Sequence, residues 1–203
     1  MKNIGEYKKV GIRVASLYKD PSFKSELVTQ ALLSEELLVI DKNNDWYKVR
    51  QWDKYESWIH SFYLSSNQKN IYDKSLEYNT YNLLETAKTF LNTPYLWGGK
   101  SELGFDCSGF IQTVYKKLGV FFPRDTSEQI KSKNLFEIKY SNIKLGNLLF
   151  FANAKVINHV AIYIGDGKII HASGKVKIEK LEDNIKLFNN LYKIFSIRDM
   201  VQD

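Results

Sequence analysis

Apolar and polar residues alternate over short stretches in the first third of the chain. VGIRVASLY (10–18) and LLVIDK (37–42) alternate or run β-branched, and WYKVRQW (46–52) alternates strictly. A period of two marks strands with one buried face, and the turn-rich segments KDPS, DKNND and WDKY separate them. Turns at this close, regular spacing predict a small all-β barrel, closed by SWIHSFYL (57–64). Only a turn around Ser34-Glu35-Glu36 departs from strand patterning.

SSNQKNIYDKSLEYN (65–79) is polar and has little periodicity, so it reads as a linker. The expected division is a first domain over 1–66, a linker over 67–79 and a second domain over 80–203.

Beyond the linker the period changes. Leu83, Leu84, Ala87, Phe90 and Leu91 share one helical face, which predicts a helix over 81–91 with Thr80 as its cap. Pro94 and Gly98-Gly99 then mark a loop. From Cys107 onward Phe110, Ile111, Val114, Tyr115 and Leu118 recur at three and four, and Gly119 stops that helix. A short helix is expected near Thr126. After Gly146 come strands at LLFF, VAIYIG and KIIHAS, the last two joined by the hairpin signal Asp166-Gly167, and a final strand over 193–198. Helices followed by an antiparallel sheet make an α+β layout.

Composition narrows the function classes. The net charge is +6, but only Arg13, Arg50, Arg124 and Arg198 among the 29 basic residues are arginine, and the lysines are scattered. Base readout and phosphate clamping favour arginine, so a lysine-coated surface is expected and no nucleic-acid partner. The first 18 residues hold no long apolar run and no stretch is long enough to cross a bilayer. The expectation is no signal peptide, no membrane partner and a cytoplasmic location. A lone cysteine excludes an internal disulfide and suits a reducing compartment.

That cysteine carries the candidate chemistry. Cys107 stands at a predicted helix start, where free amides and the macrodipole favour an anion, so its thiol pKa is expected below the ordinary ~8.5. Asp106 opposes that and calls for a compensating cation. A nucleophilic thiol also needs a base, and the base an orienting group. His159 and His171 lie at neighbouring ends of the hairpin strands, offset by a few residues or by a bulge. A structural cysteine and a nucleophile both remain open on this ground alone. One Cys and two His without a carboxylate at ligand spacing form a poor zinc set, so no metal is expected.

YLWGGKSELGFDCSGFI (95–111) resembles the signature of the NlpC/P60 cysteine peptidases. LGNLLFF and NHVAIYIGDGKIIHAS follow in the family's order. The resemblance implies a papain-like domain without a cofactor. In it Cys107 is the nucleophile, His159 the base, His171 the residue orienting it, and Tyr95 a neighbour of the oxyanion. Asn147 and Leu145 stand where the family has Asp and Pro, which puts a turn in doubt. DWYKVRQWDKYESWIHSFYL and SELVTQALLSEELLVI resemble bacterial SH3-like (SH3b) domains of the γ-D-glutamyl-L-diamino acid endopeptidases of murein recycling. That likeness implies action on a free murein peptide, L-Ala-γ-D-Glu-diamino acid; a monomer is expected. Its N-terminal amine would meet Glu26, Tyr55, Asp106, Ser108, Arg124, Asp125 and Thr126, with Thr126 replacing the family's Ser, and it would neutralise Asp106. His60 is expected to be structural. The alternatives are an exported hydrolase of intact wall that uses the SH3b module for anchoring, and a binding protein with an inactive second half.

Overall fold

The structure is a computed structural model that describes residues 4–65 and 76–198. Residues 67–75 of the expected linker lie outside the described residues.

The first part is a seven-stranded sheet. Its strands are β1 (Tyr7–Val10), β2 (Val14–Tyr18), β3 (Leu27–Leu32), β4 (Glu36–Asn43), β5 (Trp46–Arg50), β6 (Glu56–His60) and β7 (Leu64–Ser65). The order is β3-β2-β6-β5-β4-β1-β7, and the pairings are antiparallel. Val10, Ala15, Leu17, Ala31, Leu37, Val39, Val49 and Ile59 form one core. Strands from both ends of the order feed that core, so the sheet must wrap around it. The alternating apolar positions in β2, β4 and β5 are the ones buried, as the period of two requires.

Strand β3 has no strand signal in the sequence. LVTQAL interrupts the apolar alternation with Thr29 and Gln30, yet both are buried. Their polar atoms face the second half of the chain rather than water, and this explains the broken pattern.

The second part opens with α1 (Thr80–Lys88). Its cap is Asn79, whose Oδ1 accepts the Asn82 N–H at 2.8 Å, so Thr80 is the first helical residue and not the cap. The helix stops at Lys88 instead of Leu91, because turns over 89–93 swing the chain toward Pro94. A short hairpin of β8 (Lys100–Ser101) and β9 (Gly104–Phe105) leads into α2 (Cys107–Lys117). Then come α3 (Thr126–Gln129), β10 (Leu135–Ile138), β11 (Leu148–Asn153), β12 (Val156–Gly165), β13 (Lys168–Ser173), β14 (Lys175–Lys180), α4 (Ile185–Asn189) and β15 (Leu191–Ile197).

The six-stranded sheet runs β10-β15-β11-β12-β13-β14. Phe110, Ile111 and Val114 of α2 are fully buried in one core with Leu148, Phe150, Val160 and Ile162 of the sheet. Each such side chain contributes about 1.5–3 kcal/mol relative to exposure. Leu149, Phe151, Ala161 and Ile169 form a second core on the opposite face. Strand β14, KVKIEK, alternates charged and apolar residues; it lies at the edge, where lysines discourage pairing with another chain. Asn147 keeps its turn: its Oδ1 accepts the Lys144 N–H at 2.6 Å, as an aspartate would.

Candidate active site

Helix α2 begins at Cys107 because Asp106 caps it: Asp106 Oδ1 accepts the Gly109 N–H at 2.7 Å. The helix start is wedged against the 95–99 loop. A Cβ at Gly109 would lie 2.1 Å from the Gly99 carbonyl oxygen, so only glycine fits. Gly98 has φ +75°, and a Cβ there would lie 2.5 Å from the Leu27 carbonyl oxygen in β3. The Gly98-Gly99 pair therefore lets the first domain press onto the loop that backs the Cys107 helix start.

The Cys107 sulfur lies 3.9 Å from Thr126 Oγ1 and 4.0 Å from the Asn158 carbonyl oxygen. The backbone amides of Ser108 and Val160 also act on it. It thus touches β12 on both sides of His159. The two strands of the histidine hairpin are out of simple register, with a bulge between Tyr163 and Gly165 next to Asp166 (φ 53°) and Gly167 (φ 70°). His159 and His171 become diagonal neighbours, Nε2 to Nδ1 at 2.7 Å, with ring planes at 77°.

Burial pushes the Cys107 thiol above its ordinary pKa, and the Asp106 carboxylate adds to that; Thr126 and the two amides only offset part of it. This corrects the lowered pKa expected from the helix start alone. Burial also pushes both imidazoles down, His159 further through the adjacent His171 ring. Burial therefore favours an uncharged thiol and two uncharged rings in the free protein. Tyr95, half-buried by the loop, is pushed up to about 12 by burial, then by Cys107 and Asp106, and stays a phenol.

Asp106 needs no bound amine to neutralise it, contrary to the expectation from sequence. Arg124, 2% exposed, spans it with Nη1 to Oδ1 at 3.0 Å and Nη2 to Oδ2 at 2.5 Å. Gly98 N–H at 3.0 Å and the Ser108 hydroxyl at 3.3 Å complete the shell. With the Gly109 amide, five donors occupy a carboxylate that has about four acceptor positions. Arg124 also donates to Ser108 Oγ and, through Nε, to Thr29 Oγ1 of β3. Arg124 is thus a buried strut behind the cleft and not part of its lining.

A cleft of about 500 Å³ opens over the sulfur, with Glu26, Val28 and Tyr55 of the first domain among its walls. Lys19, also of the first domain, lines it as well and lies 3.7 Å from Glu26 Oε2, and Tyr95, Trp97, Gly98, Asp106, Cys107, Ser108, Asp125, Thr126, Ser127, Ile157 and Asn158 form the rest. The carboxylate of Asp125 makes no hydrogen bond among the described residues, and burial raises its pKa. Glu26 Oε1 accepts the Trp97 indole N–H at 2.8 Å. Tyr55 is pushed up by burial and by Asp125. No group of three His, Cys, Asp or Glu that could hold a metal occurs among the described residues. His60 lies apart from the cleft: it packs on Phe23, Trp46 and Phe62, and its Nδ1 accepts the Phe62 N–H.

Sequence reading missed the β3 residues Thr29 and Gln30, the Trp97–Glu26 bond, and Glu179, which lies 3.1 Å from His171 Nε2. The charged alternation of KVKIEK was a usable strand signal for the last of these.

Residues 92–190 match the model of the NlpC/P60 family, and residues 17–62 match that of the bacterial dipeptidyl-peptidase SH3 domain. A γ-D-glutamyl-L-lysine dipeptidyl-peptidase of Bacillus cereus is 30% identical over 73% of this chain and 68% of its own length. One from Bacillus subtilis is 42% identical, over 44% of this chain and 31% of that protein. The crystal structure of a Bacillus cereus NlpC/P60 family protein superposes with a TM-score of 0.56 at 28% identity, covering 94% of this chain and 63% of the other. With these matches and a lone cysteine at the cleft floor against a histidine hairpin, the chain belongs to the NlpC/P60 family of cysteine peptidases, preceded by a bacterial SH3 domain.

Proposed function

We propose that the protein hydrolyses the γ-D-glutamyl–diamino acid bond of free murein peptides that carry an unblocked N-terminal L-Ala, acting as a monomer in the cytoplasm. The carrying observation is the position of the SH3 domain, which walls the cleft over Cys107 with Glu26, Val28 and Tyr55. Glu26 and Tyr55, with Asp125 on the same cleft, suit an α-ammonium that takes the place of Lys19 beside Glu26. A buried ammonium needs several acceptors, and Asp125 and Glu26 offer charge while the Tyr55 hydroxyl, Ser108 and Thr126 complete a shell. Asp106 acts there through the fixed Arg124 pair rather than as a free charge. The names of the relatives favour the same bond.

In this reading His159 takes the thiol proton as Cys107 attacks the D-Glu side-chain carbonyl. The backbone N–H of Cys107 at the helix start, beside Tyr95, receives the oxyanion. His159 returns the proton to the leaving amine of the diamino acid, which departs and leaves a thioester. Water, deprotonated by His159, then releases L-Ala-D-Glu and restores the thiol.

The test is incubation with free L-Ala-γ-D-Glu-diamino acid, its N-acetyl form and intact wall, with products read by mass. Release of L-Ala-D-Glu from the free peptide alone is expected, and Cys107→Ala should give none. Equal turnover of the acetylated peptide would remove the amine pocket. Cleavage of intact wall would favour an exported hydrolase instead.

A further inference from the structure

We propose that Glu179 is a positioning residue that fixes the tautomers of both imidazoles and so leaves His159 Nδ1 as the proton acceptor. The proposal rests on the assignment of His159 as the base.

Glu179 lies on edge strand β14. The β13–β14 register pairs Ile169 with Glu179 and His171 with Lys177, which sets Glu179 and His171 on one face as diagonal neighbours. The carboxylate is held from two further sides: Asn184 Nδ2 donates to Oε1 at 2.8 Å, and Lys177 Nζ lies 2.7 Å from Oε2. Its Oε1 lies 3.1 Å from His171 Nε2. That nitrogen is fully buried and has no other hydrogen-bond partner, so Glu179 Oε1 is the acceptor within its reach.

Electrostatics then decides the proton's place. An unprotonated Nε2 would hold its lone pair close to a carboxylate oxygen 3.1 Å away, which is repulsive. A protonated Nε2 meets an acceptor, and a buried N–H without one is costly. The burial that keeps His171 uncharged leaves it one ring proton, so its Nδ1 becomes an acceptor. The 2.7 Å contact from His171 Nδ1 to His159 Nε2 therefore requires His159 to donate through Nε2. The single ring proton of His159 is used there. Its Nδ1 makes no hydrogen bond among the described residues and is left with a lone pair, on a residue whose two backbone neighbours touch the Cys107 sulfur. When the Cys107 S–H bond breaks, the proton goes to His159 Nδ1 and the electron pair stays on sulfur. Glu179 stays a carboxylate throughout.

Ring ¹⁵N shifts read this directly. The full chain has three histidines, so His→Gln variants assign the spectrum. At pH 7, without substrate, His159 and His171 should both appear as Nε2–H tautomers. Glu179→Leu should turn His171 into a tautomer mixture and lower kcat about 10–100-fold, the range found when a metal-binding histidine loses its orienting carboxylate, with KM unchanged within twofold. Glu179→Gln should restore the tautomer and most of kcat, because its amide oxygen can still accept from both Asn184 and His171. A wild-type His171 in the Nδ1–H form would overturn the proposal. So would a Glu179→Leu variant with wild-type tautomers or kcat, or a Gln variant as impaired as Leu. The tautomers are read without peptide, so this failure is separate from failure of the peptide specificity, which product masses report.

Discussion

At Cys107 two local effects oppose each other. A helix start favours a thiolate, yet Cys107 is 9% exposed and next to a carboxylate, and burial wins. Alkylation of the free protein by iodoacetamide should therefore keep accelerating through pH 8–9, following the thiol. A rate already level between pH 5 and 7 would mean that a resting thiolate–imidazolium pair exists. His171 gives a second pH effect. Its folded pKa lies below the ordinary 6.5 through burial, so below pH 6.5 the unfolded chain binds a proton the folded ring refuses. Stability should fall as pH drops from 6.5, by up to about 1.4 kcal/mol per pH unit for this ring. Urea unfolding at pH 7 and pH 5 measures it, and His171→Asn should reduce the slope while the buried His159 ring keeps its own share; an unchanged slope would place the acid sensitivity elsewhere.

At the scale of elements, the start of α2 depends on one buried ion pair. Asp106 caps the helix only while Arg124 balances it, and both are buried. Arg124→Met should destabilise by about 3–5 kcal/mol, because a carboxylate is left without its cation. The double change Arg124→Met with Asp106→Asn should recover part of that loss. Urea midpoints compare the two, and equal losses would show that the pair is not coupled. The sequence pattern identified α2, the hairpin and most strands, because their apolar residues are buried in apolar cores, on one face in α2 and the first domain and on both faces in β11–β13. It failed at β3, whose polar Thr29 and Gln30 are buried against another domain, and at β14, a charged edge strand. Periodicity reports burial by water exclusion; it carries no sign of a polar group satisfied by a distant residue.

For the whole molecule, the joint between the halves sets the cleft. Gln30 Oε1 accepts the Lys100 N–H at 2.9 Å, Arg124 reaches Thr29, and Gln112 Nε2 donates to Asp53 Oδ2 at 2.7 Å. Gln30→Leu removes the acceptor of a buried amide, which costs about 1–3 kcal/mol. It should also raise KM for the free peptide severalfold while kcat holds, since Glu26 and Tyr55 are carried on the same domain. Steady-state kinetics checks this, and a fall in kcat alone would mean that the joint acts on the sulfur instead. The sequence by itself determined the α+β order, the lone thiol at a helix start and the two histidines on a hairpin, because each is local and spaced by a helix or strand period. Only the tertiary structure decided that Arg124 neutralises Asp106, that Glu179 faces His171, and that burial outweighs the helix start at Cys107. Those outcomes depend on desolvation and on charges brought together from distant parts of the chain, and neither has a local period to read.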